Sequence, residues 1–250
     1  MVKGVASPNE RRSRPVLIRL PNMGLLRLLC VAWIAVVVTD SSFAQLCGQD
    51  YTDRVTIVRE AASRLEGNRP RLVLVGSSSF RKWPETDTVF SQYDVINAGF
   101  GGSCFEDLWV WREPLLFEFQ PNVVMVYEGD NDINDGLPLG EVLRSADKVL
   151  RDIRRRLPDA ALVVVAPKAS IARQHLAPQY IQFNRSLDSL CQQIGGIDFV
   201  SFWDDQHRED GTIRLELFMD DMLHLNAKGY TLWVEGLRER LPWLDPRWGP

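Results

Sequence analysis

Near its C-terminus the chain reads Phe218-Met-Asp-Asp-Met-Leu-His-Leu-Asn226, which sets Asp221 three residues before His224. Far upstream the apolar run Arg71-Leu-Val-Leu-Val75 empties into Gly76-Ser77-Ser78-Ser79. A hydroxyl, an imidazole and a carboxylate are the parts of a serine nucleophile system: Ser attacks, His takes its proton, and Asp fixes the His tautomer and supports the imidazolium. Such chemistry also needs donors for the oxyanion that develops on the substrate, and Gly102 and Asn131 are candidates for that work. A spacing of three puts Asp221 and His224 on one side of a single turn, so they arrive as a pair.

Taken singly, each of these residues has a plainer job. Ser78 would cap a helix that follows the strand, Asn131 would stabilise its own turn, and Asp221 would cap the last helix. Asp220 stands beside Asp221 as an alternative partner for His224, and Ser77 and Ser79 flank Ser78 as alternative nucleophiles. The other two histidines, His175 and His207, lie in polar surroundings without an acid at useful spacing and read as surface residues.

The elements that must position these residues alternate along the chain. Short aliphatic runs at Leu72–Val75, Val95–Ile96, Val123–Val126, Leu162–Val165 and Ile197–Val200 read as buried strands. Helical spacing is found over Asp53–Leu65, Phe105–Phe119, Leu139–Leu157, Pro178–Ile194 and Ala227–Leu241. Pro158-Asp159 and Gly195-Gly196 stop two of them. Alternation of this kind predicts an α/β fold, a parallel sheet with helices on both faces. Its ligand site is expected beyond the carboxyl ends of the strands. The turns Gly76–Ser78, Gly99–Gly102 and Gly129–Asp132 follow the first three strands and converge there. Gly136, Gly140 and Gly211 read as ordinary turn glycines. Lys168 and Arg173, after the fourth strand, are candidates for contact with an anionic or polar part of a substrate, against the plainer reading of solvated loop charge. Trp83, Phe100, Phe105, Trp109 and Trp111 would line an acyl or sugar pocket or pack in the core.

In this order the blocks resemble the SGNH hydrolases, the GDSL esterase/lipase family, over about residues 71–241. Gly76-Ser77-Ser78 matches the first block, usually Gly-Asp-Ser, and Val95-Ile-Asn-Ala-Gly-Phe-Gly-Gly102 the second. Gly129-Asp-Asn131-Asp matches the third, and Asp221-Met-Leu-His224 the last. The variant first block and Phe100-Gly-Gly102 are similar to the branch with the platelet-activating-factor acetylhydrolase catalytic subunits and bacterial secreted esterases. The resemblance implies a three-layer α/β/α domain with a mainly parallel, flavodoxin-like sheet. It implies Ser78 as nucleophile, Asp221 and His224 as its partners, and Ser78 N–H, Gly102 N–H and the Asn131 amide as oxyanion hole. Ser77 replaces the family's Asp; that Asp is chiefly a turn residue, and a Ser forms a similar local bond more weakly.

The implied activity is hydrolysis of a carboxylic ester through an acyl-enzyme, on a short-chain or acetyl ester of a carbohydrate or small molecule, with neither metal nor organic cofactor. Lysophospholipase, thioesterase and acyltransferase activity use the same machinery, and a non-catalytic carbohydrate- or lipid-binding module of the same fold is the rival from another class. The 250 residues, 45% hydrophobic and 25% charged, suit one domain, and a net charge of -4 offers no footprint for nucleic acid.

The N-terminal segment reads differently. Arg11, Arg12, Arg14, Arg19 and Arg27 precede an apolar run over 28–38, then Ser42-Phe-Ala44. This is the layout of a secretory signal over residues 1–44, with cleavage after Ala44 and Met23 as a second candidate start. The run is shorter than the ~20 residues of a spanning helix, so the mature domain, 45–250, is expected in the periplasm or outside the cell without a stable membrane span; an uncleaved anchor is the alternative. Cys47, Cys104 and Cys191 then stay in the mature chain, enough for one disulfide whose pairing the sequence leaves open.

Overall fold

The computed structural model describes residues 47–245; the signal expected over 1–44 lies outside the described residues. Among these residues five strands form one parallel sheet: β1 (Arg71–Gly76), β2 (Asp94–Gly99), β3 (Val123–Tyr127), β4 (Ala161–Val165) and β5 (Ile197–Val200), in the order β2-β1-β3-β4-β5. Leu72 to Gly76 and the whole of β3 are buried, as strands covered on both faces must be, which is why they read as unbroken aliphatic runs.

The α-helices of the described residues are α1 (Thr52–Ser63), α2 (Ser78–Arg81), α3 (Thr86–Val89), α4 (Phe105–Leu115), α5 (Asp130–Asn134), α6 (Leu139–Arg156), α7 (Ala177–Ile194) and α8 (Ala227–Arg240). Alternation along the strands sorts them into two layers. Val73, Val75, Val124, Val126 and Val164 pack with residues of α1, α4, α6 and α7. Leu72, Leu74, Met125 and Val163 face Phe80, Phe90 and the α8 residues Tyr230, Trp233 and Leu237. The period of α6 is plain in Val142, Ala146, Val149, Leu150 and Ile153, all buried on one stripe. The Asn226 side chain caps α8 by accepting from Lys228 N and Gly229 N.

Two expectations need amendment. The helix read over 105–119 ends at Leu115, with Pro114 in its last turn, and Phe117–Phe119 form a separate 3-10 turn. Trp83, Phe100 and Phe105 are buried in the core, and of the three Trp83 and Phe100 also border a surface cavity. Trp109 is half-buried beneath the cations of Arg112 and Lys148, 3.4 and 4.1 Å from its ring centre.

Cys47 is bonded to Cys104, tying the segment before α1 to the residue before α4, and Cys191 is a buried free thiol in α7. Among the described residues no helix is long and apolar enough to cross a membrane. Because β1 and β3 are neighbours while β2 lies on the other side of β1, the connections diverge at their carboxyl ends, where such a sheet opens a crevice.

Candidate active site

The crevice is built from the ends of β1, β2 and β3. Gly76 closes β1 at φ +124°, and a Cβ there would stand 2.0 Å from Tyr127 O, so only glycine lets the two strands stay paired to this point. Ser77 N donates to Tyr127 O at 2.9 Å, and Ser78 opens α2 with its side chain half-buried. Ser78 Oγ lies 2.9 Å from His224 Nε2, and His224 Nδ1 lies 2.6 Å from Asp221 Oδ2. Of the three consecutive serines only Ser78 meets an imidazole among the described residues. Ser77 and Ser79 are buried, and Ser77 precedes α2 without a side-chain cap bond.

The turn that carries Asp221 and His224 explains their spacing. Asp221 Oδ1 accepts from Leu223 N at 3.0 Å and from His224 N at 2.9 Å, which leaves Oδ2 for the imidazole. Met222 takes the left-handed conformation at φ 55°, a costly choice for a non-glycine residue that folds the two side chains together. Burial alone would raise the Asp221 carboxyl, but hydrogen bonds from the His224 backbone and ring, and from Leu223, outweigh it and hold it well below the usual range. Burial lowers His224 against the pull of Asp221, with Lys82 and Lys168 adding to the depression. The pair at neutral pH is therefore a carboxylate beside a neutral imidazole. Its proton sits on Nδ1 facing the acid, and Nε2 is free to accept from Ser78.

Asn131, in the first turn of α5, points its amide toward the same place. Its Nδ2 donates to Ser77 Oγ at 2.9 Å and to Ser103 O at 2.8 Å, so it stabilises other segments rather than its own turn. Arg173 Nη2 donates to Asn131 Oδ1 at 3.0 Å, which fixes the amide with its N–H groups toward Ser77 and Ser103. Gly102 lies at φ +83°, where an L side chain is strained. The N–H groups of Ser78 and Gly102 have no acceptor among the described residues, so neither donor is spent within the protein.

Buried charge surrounds Asn131. Asp130 Oδ2 accepts from Tyr127 Oη at 2.7 Å, Oδ1 accepts from Tyr180 Oη at 2.6 Å, and Lys168 Nζ lies 3.5 Å from Oδ2. The Arg173 guanidinium donates to Asp130 Oδ1 and, at 2.9 Å, to Asp130 O. Burial works to raise the Asp130 carboxyl, yet the charges of Lys168 and Arg173 and the two tyrosine hydroxyls hold it strongly depressed. This corrects the reading of Lys168 and Arg173 as groups that reach for substrate, and equally the reading of solvated loop charge. Lys168 is 2% exposed, and both cations are turned inward on Asp130.

On the other side Ser103 Oγ donates to Glu128 Oε2 at 2.9 Å, and Phe105 N to Asp132 Oδ1 at 3.2 Å. Burial, then the charge of Asp132, pushes Glu128 well above the carboxylate range; burial pushes Asp132 up to about 7. The alternating acids Glu128, Asp130 and Asp132 around Asn131 were the signal in the sequence that charge would be buried here. No partner was legible, because Lys168 and Arg173 lie some forty residues away.

The remaining candidates fall outside the crevice. Asp220 and His175 are exposed. His207, expected on the surface, is half-buried: its Nδ1 lies 2.6 Å from Trp203 O and its ring packs on Trp203. Cys47, Cys104 and Asp135 come together as a metal site would require, but the two sulfurs are spent on the disulfide, which leaves one carboxylate.

A family model described as GDSL-like lipase/acylhydrolase matches residues 61–232. No curated protein matches the chain. Among solved structures, a protein of Streptococcus pneumonia provisionally described as a platelet activating factor superposes with a TM-score of 0.67 at 18% identity, over 77% of this chain and 92% of that one. A GDSL-like lipase of Bacteroides thetaiotaomicron gives 0.65 at 13% identity, covering 78% and 100%. A point mutant of an acetyl-xylooligosaccharide esterase of Geobacillus "Stearmophilus" gives 0.58 at 14%, covering 69% and 94%. At these identities the superpositions speak for the fold.

Proposed function

The chain belongs to the GDSL-like lipase/acylhydrolase family and is an ester-bond hydrolase; from that premise we propose that it cleaves short-chain or acetyl esters of a carbohydrate or small molecule through an acyl-enzyme on Ser78. The observation that carries the proposal is the unbroken relay from Ser78 Oγ through His224 to Asp221 Oδ2. Ser78 Oγ attacks the carbonyl carbon as its proton passes to His224 Nε2. The tetrahedral oxyanion takes hydrogen bonds from Ser78 N–H and Gly102 N–H, and from Asn131 Nδ2 as one of its two N–H groups turns from Ser77 Oγ to the substrate. The imidazolium gives its proton to the departing alcohol oxygen. Water then repeats the sequence and leaves a carboxylic acid and free Ser78. Arg173 takes part at one remove, since an Asn131 amide held at Oδ1 cannot flip its carbonyl toward the oxyanion.

The short acyl chain is supported by where the aromatic residues have gone: Phe100, Phe105 and Trp83, which flank the first two blocks, are consumed by the core. A superposable relative acts on acetylated xylo-oligosaccharides, which makes acetylated glycans the first substrates to try. With 4-nitrophenyl esters of graded length, kcat/KM should be greatest at acetate and fall steadily by octanoate. A maximum at eight carbons or beyond, or rapid cleavage of a lysophospholipid or thioester, would favour those activities instead. Export is part of the same proposal, supported by the basic and apolar N-terminal pattern and by a disulfide of the kind that persists in oxidising compartments. Protein from its native host should begin near Gln45; retention of residues 23–44 in a membrane fraction would make the segment an anchor.

A further inference from the structure

Arg81 ends α2, three residues after Ser78, and its side chain lies along the loop that follows β2. A Cβ at Gly101 would stand 2.9 Å from Arg81 Nη1, 3.7 Å from Arg81 Cδ and 3.5 Å from the Cβ of Ser78. The guanidinium thus fills the space that glycine leaves open, no more than a side chain's width from the nucleophile. Arg81 has no carboxylate partner among the described residues. Arg54 reaches the same place from α1, and its Nε and Nη2 donate only to backbone oxygens, Gly99 O and Asn97 O, each at 2.7 Å. Burial, and then the positive charge of Arg81, lowers Arg54 from its ordinary value.

Both arginines line a cavity of about 310 Å³ together with Gln49, Tyr51, Phe100 and Gly101, on the flank of the candidate oxyanion loop. Asp50 and Asp53 also border it, but neither forms an ion pair with a guanidinium among the described residues. Asp50 Oδ1 accepts from Thr52 N and Oγ1 at 2.9 and 2.6 Å, which turns the carboxylate toward α1. Two like charges side by side without an anion between them repel, and an anion in the cavity relieves that repulsion. A guanidinium presents a planar fork of donors that suits a carboxylate or a phosphate. Lys82, next in sequence and likewise without an ion-pair partner among the described residues, adds positive charge on the His224 side. The lining thus carries two guanidiniums and two carboxylates, and it is the guanidiniums that adjoin the Gly99–Gly101 loop beside Ser78.

We propose that the cavity between Arg81 and Arg54 receives an anionic group of the ester substrate, a carboxylate or a phosphate close to the scissile bond, so that the enzyme selects acidic esters over neutral ones. The proposal rests on the ester-hydrolase reading in taking Ser78 as the place where the carbonyl sits. Its test is therefore made on binding, in Ser78→Ala protein that holds substrate without turning it over. Acetylated glucuronic acid, acetylated glucose 6-phosphate and acetylated glucose are titrated by calorimetry in about 20 mM and about 500 mM NaCl. At least one charged ligand is expected to bind roughly tenfold tighter than the neutral one at low salt, the tighter of the two naming the anion, and the gap should shrink at high salt. Adding Arg81→Gln should close the gap and Arg81→Lys keep part of it. Equal affinity of all three ligands overturns the proposal, as does a gap that survives Arg81→Gln in protein with native circular dichroism. Should Arg81→Gln not fold, the Arg81→Lys and salt series decide, an unchanged gap in both being the contrary result. Turnover of 4-nitrophenyl acetate by the parent enzyme reports on the esterase reading separately, and its failure would leave the affinity gap standing.

Discussion

At the scale of single residues, the site separates groups that react from groups that hold them. In the proposed mechanism His224 is the base, so His224→Ala is expected to cost nearly as much kcat as Ser78→Ala, because the two act as a unit. In the same proposal Asp221 only orients and supports the imidazole, and Asp221→Ala should retain more activity than either. Asp220→Ala should stay close to the parent, since Asp221 Oδ2 is the oxygen at 2.6 Å from Nδ1; the reverse order at the two aspartates would mean that a different turn geometry operates in solution. The pH profile follows from the depressed His224. Catalysis needs the neutral imidazole, so the acid limb of kcat/KM should have its midpoint below the ordinary value of 6.5, and a midpoint above it would contradict the site's electrostatics. Asn131→Ala should lower kcat by about 10²–10³ with KM little changed. Arg173→Gln should lower kcat by a smaller factor in the parent, and by almost nothing in an Asn131→Ala background, where there is no amide left to hold. Independent, multiplicative losses in that double-mutant cycle would show that Arg173 acts otherwise.

At the scale of elements, the parts that the sequence announced are those whose signal is local. β1 and β3 are unbroken aliphatic runs and α6 repeats its apolar residues with helical period, so each was legible from its own few residues. Legibility failed where the deciding partner was remote. Lys168 and Arg173 read as loop charge because Asp130 is about forty residues away in sequence, and the cysteine pairing was open because any two of three thiols satisfied composition. The fold chose Cys47–Cys104, which braces the segment before α1 against the start of α4 and adjoins Ser103, whose carbonyl receives Asn131 Nδ2. The bond closes a span of 57 residues, so replacing both cysteines with serine should cost about 2–4 kcal/mol of stability by restoring freedom to the unfolded chain. Thermal unfolding of the variant beside the parent checks this; equal melting temperatures would assign the bond no stabilising part.

At the scale of the whole molecule, a parallel sheet buried on both faces gathers its chemistry at one edge, and the cost is charge inside the protein. Glu128 and Asp132 are buried carboxyls whose folded values are raised, chiefly by burial, Asp132 to about 7. The sign of the linkage follows. The native state holds protons that the unfolded chain has released, so the stabilisation is complete below the unfolded carboxylate values and is lost as pH rises toward the folded ones. The parent's melting temperature should therefore decline between about pH 5 and pH 8. A Glu128→Gln/Asp132→Asn variant should flatten that decline and melt roughly 5 °C higher at pH 8. Parallel profiles for the two proteins would mean that these carboxyls ionise without penalty.

Covalent labelling distinguishes among Ser77, Ser78 and Ser79 as the carrier of the acyl group. Incubation with a fluorophosphonate should add a single label to the intact protein, peptide mapping should place it on Ser78, and Ser78→Ala should neither label nor turn over an acetyl ester. An adduct on Ser77 or Ser79, or persistent turnover in Ser78→Ala, would move the nucleophile off Ser78.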